Sequence, residues 1–419
     1  MYCRIYANHD FFQFVNSLIY SSKMLYYKMK YGGYSVKLDL NVNEQEFNDF
    51  VLNNEPANIM QSSYWAKVKE PDWKPHYLTF KEDDKIVASA LLLERKAILG
   101  YSMFYCSRGF ILDYNNETTL KEVIKLAKSY VKENNGFLLR FDPEIILYKK
   151  DCRTLEMIED NTGVFEMISK YALNTGLNKD MDSTFQPRFQ MAVNLKNGEL
   201  KEKIKSKKRR LVNDNYLEAR GFKMIDNTNE EGIKEFARLS KLTEEKQGVA
   251  LRNEDYFMKM YHAFKDNDFI KVYMAQVNID ELIKYNETVK DSEIEIERLQ
   301  AIKEKEGNII NTNAIICIYG TKMVQMFYGA SDDKFSKYKA GYKLHYQAIE
   351  DAKEEGYDYF NLGGVPGTLD DGLFRFKAEY HPELFEYVGD FDIVNNKFIY
   401  YLFMKGLPLL KQIKRKIKR

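Results

Sequence analysis

The sequence predicts a mixed α/β (α+β) fold made of two alternating strand and helix units with an inserted helical arm. Three observations predict it. Apolar residues recur at strand spacing and at helical spacing in turn along most of the chain. The alternation runs twice, from about residue 36 to 145 and from about 188 to 364. The second run is interrupted at 279–306 by a stretch rich in Glu, Lys, Ile and Leu.

The elements follow in order. "YSVKLDL" alternates as a strand, "NEQEFNDFVLNN" has helical spacing, and "HYLTFKEDDKIVASALLLERKAI" reads as two strands around a charged turn. The strand "MFYCSRGFILDY" leads to a helix, "TLKEVIKLAKSYVKENNG", stopped by Asn-Asn-Gly, and then to the strand "FLLRFDPEI". In the second unit "RFQMAVNL" is a strand, "GELKEKIKSKKRRLVNDNYLEARG" a helix closed by Gly221, and "FKMID" a strand. Two helices follow, "EEGIKEFARLSKLTEEKQG" and "NEDYFMKMYHAFKDN". The strands "FIKVYMAQV", "NAIICIYG" and "KMVQMFYGAS", the helix "YKLHYQAIEDAKEEG" and the strand "YDYFNLGG" complete it. Residues 360–380 read as a strand end, a Gly/Pro turn and a resumed strand.

In the inserted run, Ile279, Leu282, Val289, Ile296 and Leu299 sit near heptad spacing. Two forms satisfy it: a short coiled-coil hairpin folded near Lys290–Ser292, or one solvated amphipathic helix.

Composition narrows the function classes. A chain of 419 residues is long enough for two or three packed units, and 45% hydrophobic content with a net charge of +1 marks a globular protein with no global electrostatic partner. Cys3, Cys106, Cys152 and Cys317 form no C-x-x-C pair, which disfavours a zinc ribbon or disulfide scaffold and fits a reducing cytoplasm. His9, His76, His262, His345 and His381 share no metal-ligand spacing, and no phosphate-binding glycine loop, H-E-x-x-H or G-x-S-x-G occurs. Neither a metal nor a cofactor is therefore expected. No apolar run reaches the roughly 18 residues of a spanning helix. Residues 1–35 read as an extra N-terminal segment without a signal-peptide pattern, and Met29 is the expected working start. The basic, Leu/Ile-interleaved end "MKGLPLLKQIKRKIKR" suits the surface of an anionic membrane, with a solubilising tail as the alternative.

Four stretches carry candidate chemistry. In "QSSYWAKVKE", Trp65 precedes Lys67 and Lys69, and a lysine there suits a phosphate. In "SRGFILDY", Asp113 ends an apolar strand, where a carboxylate can act as a base or simply hold a turn. Lys205, Lys207, Lys208, Arg209 and Arg210 cluster as a site for an anionic backbone, against the plainer reading of a solvated face. "LRNEDY" places Arg252 one helical turn before Tyr256, "MFYGAS" contributes Tyr328, and Phe376 and Lys377 follow the glycine-rich turn. Together they describe a cleft for a large anionic substrate.

Taken in order, "QSSYWAKVK", "YCSRGFILDY", "KKRRLVNDNYLEARGF", "RNEDYF", "MFYGASDDKF", "YDYFNLGGV" and "GLFRFKAEYHPELFEYVGDFD" resemble the FemABX family of aminoacyl-tRNA-dependent peptidoglycan aminoacyltransferases. The resemblance runs from about residue 36 to the end. It implies two GNAT-like domains: 36–190, completed by 385–419, and 191–384 with a short helical arm at about 279–306. It also implies transfer of an amino acid from aminoacyl-tRNA to the side-chain amine of the third stem-peptide residue of a lipid-linked or nucleotide-linked peptidoglycan precursor. The implied setting is the cytoplasm, peripherally at the inner face of the membrane, with the protein as a monomer.

Carried over position by position, Lys69 and Arg252 hold phosphates of the precursor, Tyr256 and Tyr328 belong to the same pocket, and Lys205 to Arg210 face tRNA. Phe376 and Lys377 mark the place where the aminoacyl ester meets the amine, and Asp113 is a candidate base. Phe110 stands where many members have Pro, a local departure next to Asp113. Two other readings were open on the residues alone: an acetyl-CoA-dependent GNAT N-acyltransferase, whose pyrophosphate loop finds only "YKAGYK", and a non-enzymatic adaptor for tRNA or membrane resting on the basic cluster and tail.

Overall fold

The computed structural model describes residues 36–181, 184–196, 198–204, 206–247 and 251–406. The N-terminal segment with its expected start at Met29, Lys205 of the basic cluster, and the basic tail from residue 407 lie outside the described residues.

Two mixed sheets organise the described chain. The first contains β1 (Val36–Asp39), β2 (Lys74–Glu82), β3 (Lys85–Lys96), β4 (Ser102–Cys106), β5 (Ile111–Leu112) and β6 (Gly136–Phe141). Strands β7 (Ile146–Asp151), β8 (Met157–Asp160), β9 (Leu173–Asn174) and β10 (Phe189–Asn194) come next in the chain. The second unit adds β11 (Phe222–Asp226), β12 (Ile270–Asn278), β13 (Ile309–Ile318), β14 (Met323–Ser331) and β15 (Tyr359–Gly364), and the chain ends with β16 (Glu383–Tyr387) and β17 (Phe391–Val394). The first sheet runs β1-β2-β3-β4-β6-β17-β9, with β5 on β3; the second runs β11-β12-β13-β14-β15-β10-β16-β7-β8. The mixed α/β class read from the alternation is what folds.

One boundary differs from the sequence reading. Residues 146–160, placed with the first domain, pair with the second sheet through β16, where Glu383 faces Asp151 and Leu384 faces Lys150. The crossing follows Asp142-Pro143-Glu144: Pro143 offers no ladder N–H, and the Glu144 carboxylate is held 3.2 Å from Arg108 Nε. The chain then returns to the first sheet at β17, which pairs with β6. A bidentate pair fixes the return, Arg140 Nε and Nη2 each donating at 2.7 Å to Asp392.

The two sheets share a core. Phe47, Trp65, Leu91 and Ile111 from the first unit pack with Phe236, Phe257, Met260 and Ile316 from the second, and the helix Ser63–Lys69 lies on the helix Glu254–Phe264. Each such side chain contributes roughly 1.5–3 kcal/mol on burial, so the clustering sets the two units rigidly enough to form a site between them.

The inserted run is a hairpin of two helices, Ile279–Glu287 and Glu293–Glu306. It is folded onto the second unit: Ile279, Leu282, Leu299 and Ile302 join that unit's core, while Tyr338 donates to Glu295 at 2.5 Å and Lys303 to Asp280 at 2.6 Å. Heptad positions Leu282 and Leu299 therefore bury against the body, whereas Val289 at the turn is exposed.

Two stretches depart from their expected shape. Residues 198–221 are three short pieces, a helix at Leu200–Lys203, a 3-10 turn at Ser206–Val212 and a helix at Asp214–Glu218. Cations four apart in sequence, at 203 and 207 and at 205 and 209, disfavour a continuous helix, and Asn213, whose Oδ1 accepts from Asn215 N at 3.2 Å, starts a new one. The expected resumed strand after the glycine turn is a helix, Gly372–Lys377, capped by Asp371, whose Oδ1 accepts from Phe374 N at 2.7 Å.

Candidate active site between the two sheets

The helix Ser63–Lys69 is where the site begins. Ser62 caps it, and the buried Gln61 anchors it by donating to the Ser107 carbonyl at 2.6 Å and accepting from Leu91 N at 2.9 Å. Within a helix, residues two apart point to different sides. Lys67 accordingly pairs with Glu44 at the surface, 3.1 Å away, while Lys69 turns inward. Its Nζ sits 4.3 Å from the Trp65 ring centroid and donates to Tyr256 Oη at 3.4 Å. Burial first, and then the Arg252 charge, push Lys69 down to about 8, partly opposed by Asp72.

Arg252 precedes the helix Glu254–Phe264 rather than lying on it, because Asn253 is the cap and accepts from Tyr256 N at 3.2 Å. Its guanidinium reaches back to within 4.9 Å of the Tyr256 ring centroid. Tyr328, on β14, donates to Tyr256 Oη at 3.5 Å. Burial, together with Tyr328, pushes the Tyr256 phenol well above its ordinary range, so it stays protonated and able to donate.

These four side chains line one cavity of about 220 Å³ together with Arg108, Glu144, Gln190, Asn361 and the backbone of Gly363 and Gly364. The strands open to make it. β14 and β15 are parallel and pair only from Met323 with Tyr359 to Gln325 with Asn361, although β14 runs on to Ser331 and β15 to Gly364. Past that point Tyr328 and the two glycines face the gap.

Lys377 meets the cavity from behind this wall. It is buried, and its Nζ donates to the Gly364 carbonyl at 2.8 Å. A Cβ on Gly363, whose φ is +84°, would lie 3.6 Å from that Nζ, and one on Gly364 would meet Pro187 at 2.5 Å. The glycines serve close approach rather than flexibility. Burial pushes Lys377 down to about 7, with Asp371 opposing the shift.

Phe376 points away from the cavity into a half-buried aromatic group, 5.0 Å from the Tyr342 ring centroid and 5.1 Å from that of His345. Lys208 also reaches this group, its Nζ 5.0 Å from the Tyr342 centroid. Burial, with the Lys377 charge adding to it against a bond to the Gly341 carbonyl, pushes His345 down to about 4. Arg209 instead donates to the carbonyls of Ile204 at 3.2 Å and Glu202 at 3.3 Å, and Arg210 lies over Tyr216. Lys207 has its backbone in the 3-10 turn and its side chain outside the described residues.

Asp113 is not brought to the site. It is exposed, and its Oδ1 accepts from Asn115 N at 2.9 Å and Asn115 Nδ2 at 3.3 Å, the geometry of a turn aspartate just before the helix Glu117–Glu133. The carboxylates beside the cavity are others. Glu144 lines it, 3.2 Å from Arg108 Nε, and Asp142 accepts from Tyr105 Oη at 2.9 Å and Arg108 N at 3.0 Å. Burial pushes Asp142 and its neighbour Asp390 well up. The sequence signal for this group was "RFDPE", two acids around a proline directly after an apolar strand, which reads as a strand end on its own. Among the described residues no cluster of His, Cys, Asp and Glu could hold a metal ion.

Cations at the mouth and a poorly solvated amine behind the wall are groups able to hold an anion and to stabilise negative charge. Comparison with known proteins fixes the class as an aminoacyltransferase. The chain belongs to the FemAB family, whose pattern matches residues 42–289 and 282–405. It is 26% identical over 425 residues to the lipid II:glycine glycyltransferase of Staphylococcus epidermidis (strain ATCC 35984), covering 91% of this chain and 98% of that one. It is 25% identical over 430 residues to the lipid II:glycine glycyltransferase of Staphylococcus aureus (strain MRSA252), with the same coverage. The crystal structure of FemX superposes with a TM-score of 0.73 at 22% identity, over 87% of this chain and 99% of FemX, and shares its fold.

Proposed function

We propose that this protein transfers an amino acid from aminoacyl-tRNA to the side-chain amine of the third stem-peptide residue of a peptidoglycan precursor, building the interpeptide bridge. The observation that carries the reading is the Lys377 amine, buried against Gly364 at the point where β14 and β15 separate beside a cavity lined by Lys69 and Arg252. The names of the glycyltransferase relatives support the precursor as acceptor.

In this reading Lys69 and Arg252 hold the phosphates of the precursor, and Tyr256 and Tyr328 donate to its oxygens. The acceptor amine attacks the ester carbonyl of the charged tRNA. A C–N bond forms, the carbonyl oxygen takes up negative charge beside the Lys377 ammonium, and collapse breaks the C–O bond to the ribose. The proton lost by the amine goes to the departing ribose oxygen, a route that needs no part from Asp113. Ester-to-amide exchange runs downhill and calls for no ATP. The aromatic group of Phe376, Tyr342 and His345, with Lys208 beside it, suits stacking of a base at the tRNA end, and the 206–210 segment suits its phosphates.

The test is direct. The protein is incubated with tRNA charged in turn with Gly, Ala and Ser, together with lipid-linked or nucleotide-linked precursor, and products are weighed by mass spectrometry. The expected outcome is a shift of one or more added residues at the third stem-peptide position. The absence of a shift with every donor and acceptor would overturn the proposal.

A further inference from the structure

We infer that Lys343 and Asp214, neither of which lines the cavity, form a latch that sets the basic turn Ser206–Val212 beside the aromatic group of Phe376, Tyr342 and His345. The two residues are positioning residues: they touch no substrate and act through the groups they hold in place. Lys343 lies on the helix Ala340–Glu354, which is anchored in the core of the second unit by Leu344, Ala348, Ile349 and Ala352. The lysine is 5% exposed, and its Nζ is 2.7 Å from Asp214 Oδ1 and 3.8 Å from Glu350 Oε2. Asp214 opens the short helix Asp214–Glu218, directly after the basic turn and its Asn213 cap.

A buried ammonium is costly, and an apolar side chain of similar length would fill the same place without that cost. A charge kept there acts best by fixing one element against another. The element it fixes has little else to hold it. In the helix Asp214–Glu218 only Leu217 is buried, and a helix of that length does not keep its place unaided. Its other support is Tyr216, whose carbonyl accepts from Arg220 and whose ring centroid lies 3.7 Å from the Arg220 guanidinium and 5.6 Å from that of Arg210.

The long helix carries both the latch and the rings. Tyr342, next to Lys343, has its ring centroid 5.0 Å from Lys208 Nζ and 5.0 Å from the Phe376 centroid. His345 follows within the same helical turn, 5.1 Å from Phe376. Drawing Asp214 onto Lys343 therefore seats the turn where Lys208 meets Tyr342, so that cations and rings are presented as one preformed surface. The inference rests on the reading above, in which the rings take a base and the turn takes phosphates of the tRNA end. It adds that the affinity for tRNA depends on an ion pair outside that surface, whereas precursor binding and the chemistry at Lys377 do not.

The experiment measures binding of uncharged tRNA to the full-length protein by fluorescence anisotropy across a range of salt concentrations. Precursor binding, melting temperature and single-turnover transfer at saturating charged tRNA are measured beside it. Lys343→Met and Asp214→Ala are each expected to weaken tRNA binding about tenfold and to reduce its salt slope, as phosphate contacts are lost. The double variant is expected to bind no more weakly than either single one, because each removes the same pair. Asp214→Glu, which keeps the carboxylate, is expected to bind within about threefold of the wild type. The other three readouts stay unchanged throughout. A wild-type protein that does not bind tRNA overturns the reading of the site, and the latch with it. A wild type that binds, with folded Lys343→Met and Asp214→Ala variants that bind equally well, overturns the latch alone. Losses that add in the double variant, or that extend to precursor binding or to the rate at saturation, overturn the latch as well.

Discussion

Lys377 Nζ donates to the carbonyl of Gly364 at 2.8 Å, a contact made between a short helix and the end of β15. It places a lysine amine with almost no water around it at the edge of the inter-sheet cavity. The proposed chemistry rests on that placement, because burial brings this amine down to about 7 and so into the range where it titrates under working conditions.

The pH profile should carry its signature. Below about 7 Lys377 is charged, and the rate rises tenfold per unit as the acceptor amine, with an ordinary value of about 10.4, loses its proton. Above about 7 the loss of the Lys377 charge offsets that gain, and the profile flattens. Transfer rates measured from pH 5.5 to 8.5, with ester hydrolysis subtracted, are expected to break near 7 in the wild type. In Lys377→Met the residual rate is expected to climb without a break.

On the proposed reading, Lys69 and Arg252 act on binding. Lys69→Met is expected to raise KM for the precursor by about 10–100-fold, the size of one or two lost charge-assisted bonds, with kcat changed much less. Because Lys69 is held at about 8, wild-type KM should also rise between pH 8 and 9. Steady-state kinetics at fixed donor concentration check both, and an effect confined to kcat would remove these residues from the binding role.

Asp113 separates a turn residue from a catalytic one. Its Oδ1 is occupied by Asn115, and the side-chain amide introduced by Asp113→Asn would keep one acceptor oxygen for the same turn. Asp113→Asn is therefore expected to retain transfer within about threefold, less than 1 kcal/mol, with a small loss of melting temperature. A loss of a hundredfold with an unchanged melting temperature would show that Asp113 reaches the reacting atoms.

Much of this was legible in the residues. Strand and helix periods carry the two alternating units because each element buries one face, and Lys69, Arg252, Tyr256 and Tyr328, spread over 260 residues, converge on one cavity. The parts that were not legible depend on partners distant in sequence. Strands β7 and β8 are short and charged, "ILYKKD" and "MIED", and exist because β7 pairs with β16 and β8 with β7. Arg108, Asp142 and Glu144 form one group only after β6 and the loop after β4 come together. The Gly372–Lys377 helix hides behind glycines that suggest a turn, and its signal was the Asp371 cap three residues before Phe374. Phe376 and Lys377 are neighbours in sequence, yet the helix sends one to an aromatic group and the other to the cavity wall.

The most direct measurement is single-turnover transfer by Lys377→Met beside the wild type, with binding of charged tRNA and of precursor measured separately. The buried amine is replaced by an apolar side chain of similar length, so the variant is expected to melt no lower than the wild type. A fall in the transfer rate of about 10²–10³-fold is expected, the cost of removing one oxyanion-stabilising group, with both dissociation constants unchanged. A Lys377→Met protein that transfers at the wild-type rate, or that loses rate only in proportion to lost substrate binding, would contradict it.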